Sequence, residues 1–264
     1  MRIAPRRRRR WSASARSRLL GALFFGLASS PAAAQEGNWE RSVQASANAF
    51  YGAAHTRLFA AELGLARSDS LLSVRSDFRF GYGDDRDADG PRRVTARALR
   101  LTLGIDYRPF ARYSPFVFGT FETSLQQRIA RRFDVGAGGK LTLLHKDRDD
   151  LSVSLAMLAE RTRALSRGDT AGAVSSRARW SLRFRYRRQL TPSLFVSHVT
   201  FYQPAVSSFA DRYTVDANTA IEAVLTSVLS LTSSLRHRYD NEARGRGAAS
   251  NNDGQFLFGV RAKF

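Results

Sequence analysis

The stretch QFLFGVRAKF, residues 255–264, decides the fold of this chain. Apolar side chains occupy alternate positions from 256 to 264, which is typical of a β-strand with one apolar face. In water, a strand of this kind at a sheet edge would invite aggregation. In a closed barrel it pairs on both sides and shows its apolar face to lipid. The stretch therefore predicts the last strand of a transmembrane β-barrel.

The aromatic C-terminus also resembles a sorting signal. Phe256, Phe258, Val260 and Phe264 match the pattern that the bacterial barrel-assembly machinery reads at the end of its substrates. The resemblance implies that this machinery is a partner during biogenesis, and that the chain resides in the outer membrane of a Gram-negative envelope.

The other end of the chain has the form of a secretory signal peptide. Residues 1–18 are basic, the next ten residues are apolar, and Ala32 and Ala34 occupy the two positions of an A-x-A cleavage site. About ten apolar residues are too few for a spanning helix, which needs roughly 20. We expect cleavage after Ala34, with residues 1–34 as signal peptide and residues 35–264 as the barrel.

Composition argues against several other classes of protein. The formal net charge of +19 falls to +11 without the eight arginines of residues 1–34, which weakens the nucleic-acid interpretation that so basic a chain invites. The chain contains no cysteine, and its four histidines show no metal-ligand spacing. We therefore expect no nucleic-acid partner, no metal and no cofactor.

A period of two recurs about a dozen times, with connections that alternate between short and long, and this indicates an up-and-down antiparallel barrel. Long connections are expected at 83–92, 163–173, 203–212 and 240–252. Twelve strands bring both termini to the periplasmic side, and ten remain possible. The fifth strand, near 114–123, cannot be oriented from its sequence. Phe116 and Phe118 point to one face of the strand and Phe121 to the other, so neither face is plainly polar.

Four stretches resemble a known family. They are LGIDY at 103–107, the glycine-rich segment 134–143, the run from LSL at 229–231 to YDNE at 239–242, and the closing FGVRAKF at 258–264. These stretches are similar to the YdiY-like, salt-induced outer-membrane proteins grouped as domain-of-unknown-function family 481, although Ala243 stands where that pattern has proline. The resemblance implies an outer-membrane barrel and leaves the activity open.

The positions between the apolar ones carry basic side chains that are predicted to point into the lumen. We call them the lumen arginines: Arg75, Arg79, Arg177, Arg179, Arg183, Arg185, Arg187, Arg236 and Arg238. Guanidinium groups about 7 Å apart in a confined channel concentrate anions and can pass a carboxylate or phosphate from one to the next. This set would suit a narrow pore for acidic oligosaccharides or small anions.

Two other interpretations of the charges remain open. Inward-facing acids could neutralise the arginines, so that salt bridges fill the interior. The protein would then be a structural barrel that serves the envelope, for example under envelope stress. These acids are Asp77, Asp106, Asp134, Glu160, Asp216 and Glu222. Alternatively, Arg131, Arg163 and Arg167 near the outer rim could hold lipopolysaccharide phosphates. Whether the lumen conducts, and whether the chain forms oligomers, is not decided by the sequence.

A lipid hydrolase or acyltransferase is the third class. The sequence offers little support for a catalytic pair, because His237 and Ser233 lie roughly 13 Å apart along one strand, too far for direct proton transfer. His198 is predicted to face the lumen near Tyr202 as an ordinary polar residue. We therefore expect that the chain is not an enzyme and has no catalytic residues.

Overall fold

The computed structural model describes residues 39–50, 54–87, 90–166 and 171–264. These residues form one closed barrel in which every strand pairs antiparallel with its neighbours in sequence, and the last strand pairs with the first. The prediction of twelve strands is confirmed. The strands are β1 Trp39–Phe50, β2 Ala54–Ser68, β3 Leu72–Asp87, β4 Arg93–Tyr107, β5 Tyr113–Ser124, β6 Ile129–Lys146, β7 Asp149–Leu165, β8 Ala171–Thr191, β9 Leu194–Ala205, β10 Ser208–Val224, β11 Leu229–Asp240 and β12 Asn252–Lys263.

The C-terminal strand closes the barrel. Ser42 to Ser46 of β1 pair with Lys263 to Gly259 of β12. Next to this ladder, Arg41 and Phe264 exchange two backbone hydrogen bonds of 3.0 and 2.9 Å. No open sheet edge is left at this position, as a barrel in lipid requires. We call the end of the barrel that contains this seam the terminal end, and the opposite end the loop end.

The two faces of the sheet have opposite character. Outward positions carry exposed apolar side chains such as Leu103, Val135 and Phe258. Inward positions are polar, and charged residues such as Glu122 and Arg179 are among the most buried side chains of the described part. An apolar exterior around a polar interior is the reverse of a water-soluble barrel and is typical of a transmembrane one.

β5 departs from this rule, and so does β9. Phe116 and Phe118 point into the lumen, where they lie directly opposite Gly138 and Gly136 of β6. A Cβ atom at Gly136 would approach the Phe118 ring to 2.7 Å, so the glycine provides the space that the ring occupies. Phe195 also faces inward, since it pairs with the inward Glu222. The lumen therefore has aromatic as well as charged side chains on its inner surface.

The connections differ in part from those predicted. The expected loop 203–212 is only a turn at 206–207, because β9 and β10 continue through most of it. Gln203, the first residue of the predicted loop, faces the polar lumen instead, where Thr214 Oγ1 donates to its Oε1 at 3.3 Å. The connection predicted at 83–92 is also shortened, at its first end by a longer β3, and that predicted at 163–173 is shortened at both ends by longer β7 and β8.

The connection between β11 and β12 is the longest at the loop end among those fully described, and it contains a short 3₁₀ helix, Arg244–Arg246. Among the described residues, no helix is both long and apolar enough to span a bilayer. The predicted signal peptide, with Ala32 and Ala34, lies outside the described residues.

Candidate functional site

β8 places five of the lumen arginines on one side of the lumen. Their alternation with outward residues such as Trp180 and Phe184 follows from the strand period, which separates successive inward side chains by roughly 7 Å. The five are Arg177, Arg179, Arg183, Arg185 and Arg187. The row runs along the lumen, with Arg177 nearest the loop end and Arg187 nearest the terminal end.

The two arginines of this row nearest the loop end are held by carboxylates. Arg179 is only 1% exposed, and its Nε donates to Glu160 at 2.9 Å while its Nη2 donates to Glu242 at 3.1 Å. Arg177 also donates to Glu242, and its Nε lies 3.6 Å from Glu160. The positive charges of both arginines are thus neutralised within the barrel.

These pairs belong to a larger set that crosses the lumen. Arg132 of β6 lies 3.5 Å from Glu160 and 3.6 Å from Asp240 of β11, and Arg238 of β11 pairs with Glu122 of β5. Removing so many charges from water is costly, and their mutual pairing offsets that cost. We call this set the outer ion-pair network: Glu122, Arg132, Glu160, Arg177, Arg179, Arg238, Asp240, Glu242 and Arg246.

The connection 241–251 folds inward over this network. Ala243 is fully buried, and Arg246 donates to Asp240 at 2.6 Å and to the backbone oxygen of Gln127 at 3.1 Å. Gln127 lies in the turn between β5 and β6, on the far side of the lumen. The connection therefore bridges the loop end from β11 to the β5–β6 turn.

Glu242 anchors this connection through its charge. Burial acts to raise the pKa of Glu242, but the hydrogen bond from Arg177 and the charges of Arg177 and Arg179 outweigh it and hold the pKa below its usual value. The carboxylate is therefore kept ionised by the arginines that it contacts.

Arg79 of β3 and Arg236 of β11 are also paired. Arg236 pairs with Glu62 of β2, and Arg79 Nε lies 3.5 Å from the same carboxylate. Other pairs join distant strands, as Arg100 of β4 does with Asp216 of β10 at 3.0 Å. Between the two ends, these charges of the lumen are therefore neutralised by ion pairs.

The terminal end is different. Here Arg183 donates to Ser154 at 3.0 Å and lies 5.4 Å from the centroid of the Phe116 ring, and Arg187 lies 4.9 Å from that of Phe195. These are cation–π distances. We call the group the inner arginine cluster: Arg75, Arg183, Arg185 and Arg187.

No carboxylate among the described residues lies within 4.0 Å of the inner arginine cluster. Asp106 and Asp150 act on Arg183 and Arg185 only over longer distances, whereas Arg75 repels both. Arg75 and Arg187 are exposed to solvent. A group of guanidiniums with unused donors and no acid in contact attracts anions.

The structure thus divides the residues that were predicted as one set. Arg177, Arg179, Arg236 and Arg238 lie in ion pairs, whereas the inner arginine cluster does not. Glu122, Asp240 and Glu242 were missed as partners of the arginines. The alternation of β5 or β11 could have indicated the inward side of the first two, but no local pattern indicates that a loop residue such as Glu242 folds into the barrel.

The prediction for His198 is wrong. It lies opposite Tyr186 of β8, on the outward face, and its ring nitrogens bond to Thr219 at 2.8 Å and to Thr200 at 2.6 Å. The sequence does not reveal this, because β9 has apolar side chains on both of its faces. In the structure Phe195 faces the lumen, and the residues in register with His198 face outward. His237 is also outward and bonds to Asn252 at 3.1 Å.

Comparison with known proteins gives a family. A model described as "Protein of unknown function, DUF481" matches residues 43–264, nearly the whole barrel. The chain belongs to the DUF481 family. Among curated proteins, none matches the sequence of this DUF481 barrel.

Solved structures resemble the DUF481 barrel at low sequence identity. The COG4313 outer membrane channel from Pseudomonas putida F1 is 12% identical with a TM-score of 0.47, covering 87% of this chain and 96% of that one. The NanC porin is 6% identical with a TM-score of 0.45, covering 84% and 97%. The KdgM porin is 8% identical with a TM-score of 0.43, covering 85% and 99%. These similarities do not extend to a function for the present barrel.

Proposed function

We propose that this DUF481 protein is an outer-membrane barrel, exported with a cleaved signal peptide, whose terminal end faces the periplasm. The apolar exterior and the short turns at the terminal end support this orientation. Phe256, Phe258, Val260 and Phe264 would then be presented to the barrel-assembly machinery from the periplasmic side during biogenesis.

We further propose that the lumen is a narrow anion pore that this conformation closes at its extracellular end. The division of the lumen arginines carries the proposal: the inner arginine cluster is free of acid contacts, whereas the outer ion-pair network and the connection 241–251 occupy the other end. Anionic solutes would enter from the periplasm, collect at the cluster and pass only when the connection moves outward.

Aromatic rings beside the cluster narrow the class of solute. Phe116 and Phe195 lie against Arg183 and Arg187, so the inner surface offers both guanidinium forks and flat apolar faces. A carboxylate or phosphate attached to a ring, such as an acidic sugar, would use both. Bare small anions would use only the arginines.

Planar-bilayer recording of the refolded mature chain tests the pore. Wild-type protein is expected to show rare, small, anion-selective openings. A variant in which residues 242–250 are replaced by a short Gly-Ser turn should open more often and stay anion-selective, because both Glu242 and Arg246 are removed. Changing Arg183, Arg185 and Arg187 together to Gln in that background should abolish the selectivity.

The control for this experiment changes Arg67, Arg112 and Arg148 to Gln. These three arginines are exposed at the terminal end outside the lumen, so the same charge is lost without effect on the pore. Cation-selective current in the shortened-loop variant would overturn the proposal.

A structural barrel is the second candidate, and the ion pairs that cross the lumen favour it, because they tie opposite strands together. This candidate predicts no current even after the connection 241–251 is shortened. The same recording therefore separates the two functions.

We propose no catalytic role. His198 and His237 bond to threonine and asparagine side chains on the outward face, and no charged residue in the described part of the chain is in contact with them to tune a nucleophile. Lipase and acyl-transfer assays on the refolded chain should therefore give no turnover. Turnover that is lost in His198→Ala or His237→Ala would contradict this.

A further inference from the structure

Three arginines form a cluster on the outward face near the loop end. Arg131 of β6 lies directly opposite Arg163 of β7, and Arg161, two residues along β7, lies opposite Phe133. Alternation places all three on the lipid side, since the neighbouring Arg132 and Thr162 face the lumen and bond to each other at 2.9 Å. We call these three the rim arginines.

The rim arginines lack the partners that such a placement normally requires. Like charges directly opposite each other on neighbouring strands are destabilising. Yet no carboxylate among the described residues lies within 4.0 Å of the three guanidiniums, and Nε of Arg163 is shielded from solvent without a hydrogen-bond partner there. No acid of the described barrel is therefore in contact with them to offset their mutual repulsion.

The apolar band of the exterior begins immediately beside them. Phe133 packs against Phe121 with ring centroids 4.9 Å apart, and Val135 further along β6 is 67% exposed. The rim arginines therefore lie where hydrocarbon gives way to polar headgroups, and their guanidiniums can reach the headgroup layer while their stems stay apolar.

We propose that the rim arginines bind phosphate groups of a lipid in the outer leaflet. Paired guanidiniums match phosphate geometry with two parallel hydrogen bonds each, and an anion between Arg131 and Arg163 would convert their repulsion into attraction. The site rests on the proposed orientation, which puts the loop end in the extracellular leaflet. It does not depend on whether the lumen conducts.

Native mass spectrometry of the refolded barrel tests the site with two probes, lipid A carrying both phosphates and lipid A from which they have been removed. We expect wild-type protein to retain phosphorylated lipid A and to lose the dephosphorylated form. Changing Arg131, Arg161 and Arg163 together to Gln should weaken retention of phosphorylated lipid A at least about tenfold, because charge-assisted contacts are lost.

The Arg67, Arg112 and Arg148 to Gln variant is the control, since it removes the same charge from the terminal end and should retain lipid A like wild type. The heat-dependent gel shift of each refolded variant verifies that its barrel has formed. Equal retention by the rim variant, or displacement of lipid A by millimolar inorganic phosphate alone, would overturn the proposal. Loss of anion current with lipid retention intact would reject the pore and leave this site standing.

Discussion

At the scale of single residues, Arg179 shows how a charge is accommodated inside this barrel. Its guanidinium is almost fully buried and is bonded to Glu160, Glu242 and the backbone oxygen of Gln203. Arg185 is the third inward residue after Arg179 on the same strand, and no described carboxylate is in contact with it. Two residues of one type, on one face of one strand, thus have different roles because of the acids around them.

Replacing Arg179 by Gln should lower the free energy of unfolding by about 3–5 kcal/mol, because Glu160 would be left as a buried charge without its closest partner. Arg185→Gln should change it by no more than about 0.5 kcal/mol, since it leaves no acid unpaired. Urea unfolding in lipid vesicles, followed by tryptophan fluorescence, measures both. Equal effects of the two changes would show that the pairing does not stabilise the barrel.

Acid should release the connection 241–251. The pKa of Glu242 is lowered in the folded barrel, so its stabilisation is complete above the ordinary pKa of 4.5 and is lost as pH falls through the lowered value. The chain has no cysteine, so an Ala249→Cys variant carries a single fluorophore on the connection. Its emission should change on acidification below pH 4.5, and the change should be absent with Glu242→Gln.

At the scale of strands, the pairing of β5 with β6 depends on glycine. Phe118 lies across Gly136, where an added Cβ would also approach the backbone oxygen of Met157 to 2.8 Å. Glycine at this point leaves room for an aromatic ring on the inner wall. The fold of β6 and the inward orientation of β5 are therefore determined together.

Gly136→Ala should destabilise the barrel by about 1–3 kcal/mol, because the ring or the strand must shift to admit the methyl group. Gly104→Ala is the matched control. Gly104 also faces the lumen, but nothing lies within 4 Å of its added Cβ, so its change should be close to neutral. The urea concentrations at the midpoint of unfolding compare the two variants directly, provided that the dependence of the unfolding free energy on urea is unchanged. Equal midpoints would exclude the steric role of Gly136.

At the scale of the whole molecule, the polar core is held together across the lumen. Arg100 and Asp216 belong to strands on different sides of the barrel, and their side chains meet at 3.0 Å with less than a third of each exposed. In a water-soluble protein an apolar core would fill this space. Here lipid surrounds the outside, so the interior is packed with paired charges.

A double-mutant cycle on Arg100→Met and Asp216→Leu should give a coupling energy of about 0.5–3 kcal/mol, since each single change leaves the other charge unpaired. The double variant should be more stable than the sum of the single effects implies. Additive effects would mean that the two side chains do not interact in solution.

The sequence by itself determined the strand period and the side of the barrel that most residues face. These properties are local, because alternation in a strand sends neighbouring side chains to opposite faces whatever the strand pairs with. The arginines of β8 could therefore be placed on the lumen side, and Phe264 at the closing seam, without knowledge of any partner. The rule failed at β5 and β9, where apolar side chains occupy both parities.

Only the tertiary structure decided which charges meet. Arg179 and Glu242 are 63 residues apart in the chain, and Arg238 and Glu122 are 116 apart. Their contact depends on closure of the barrel and on the inward fold of the connection 241–251, which no local pattern encodes. The alternation of side chains along β8 places its arginines on one face. Coulomb attraction across the closed lumen then divides them into a paired outer group and an unpaired inner group.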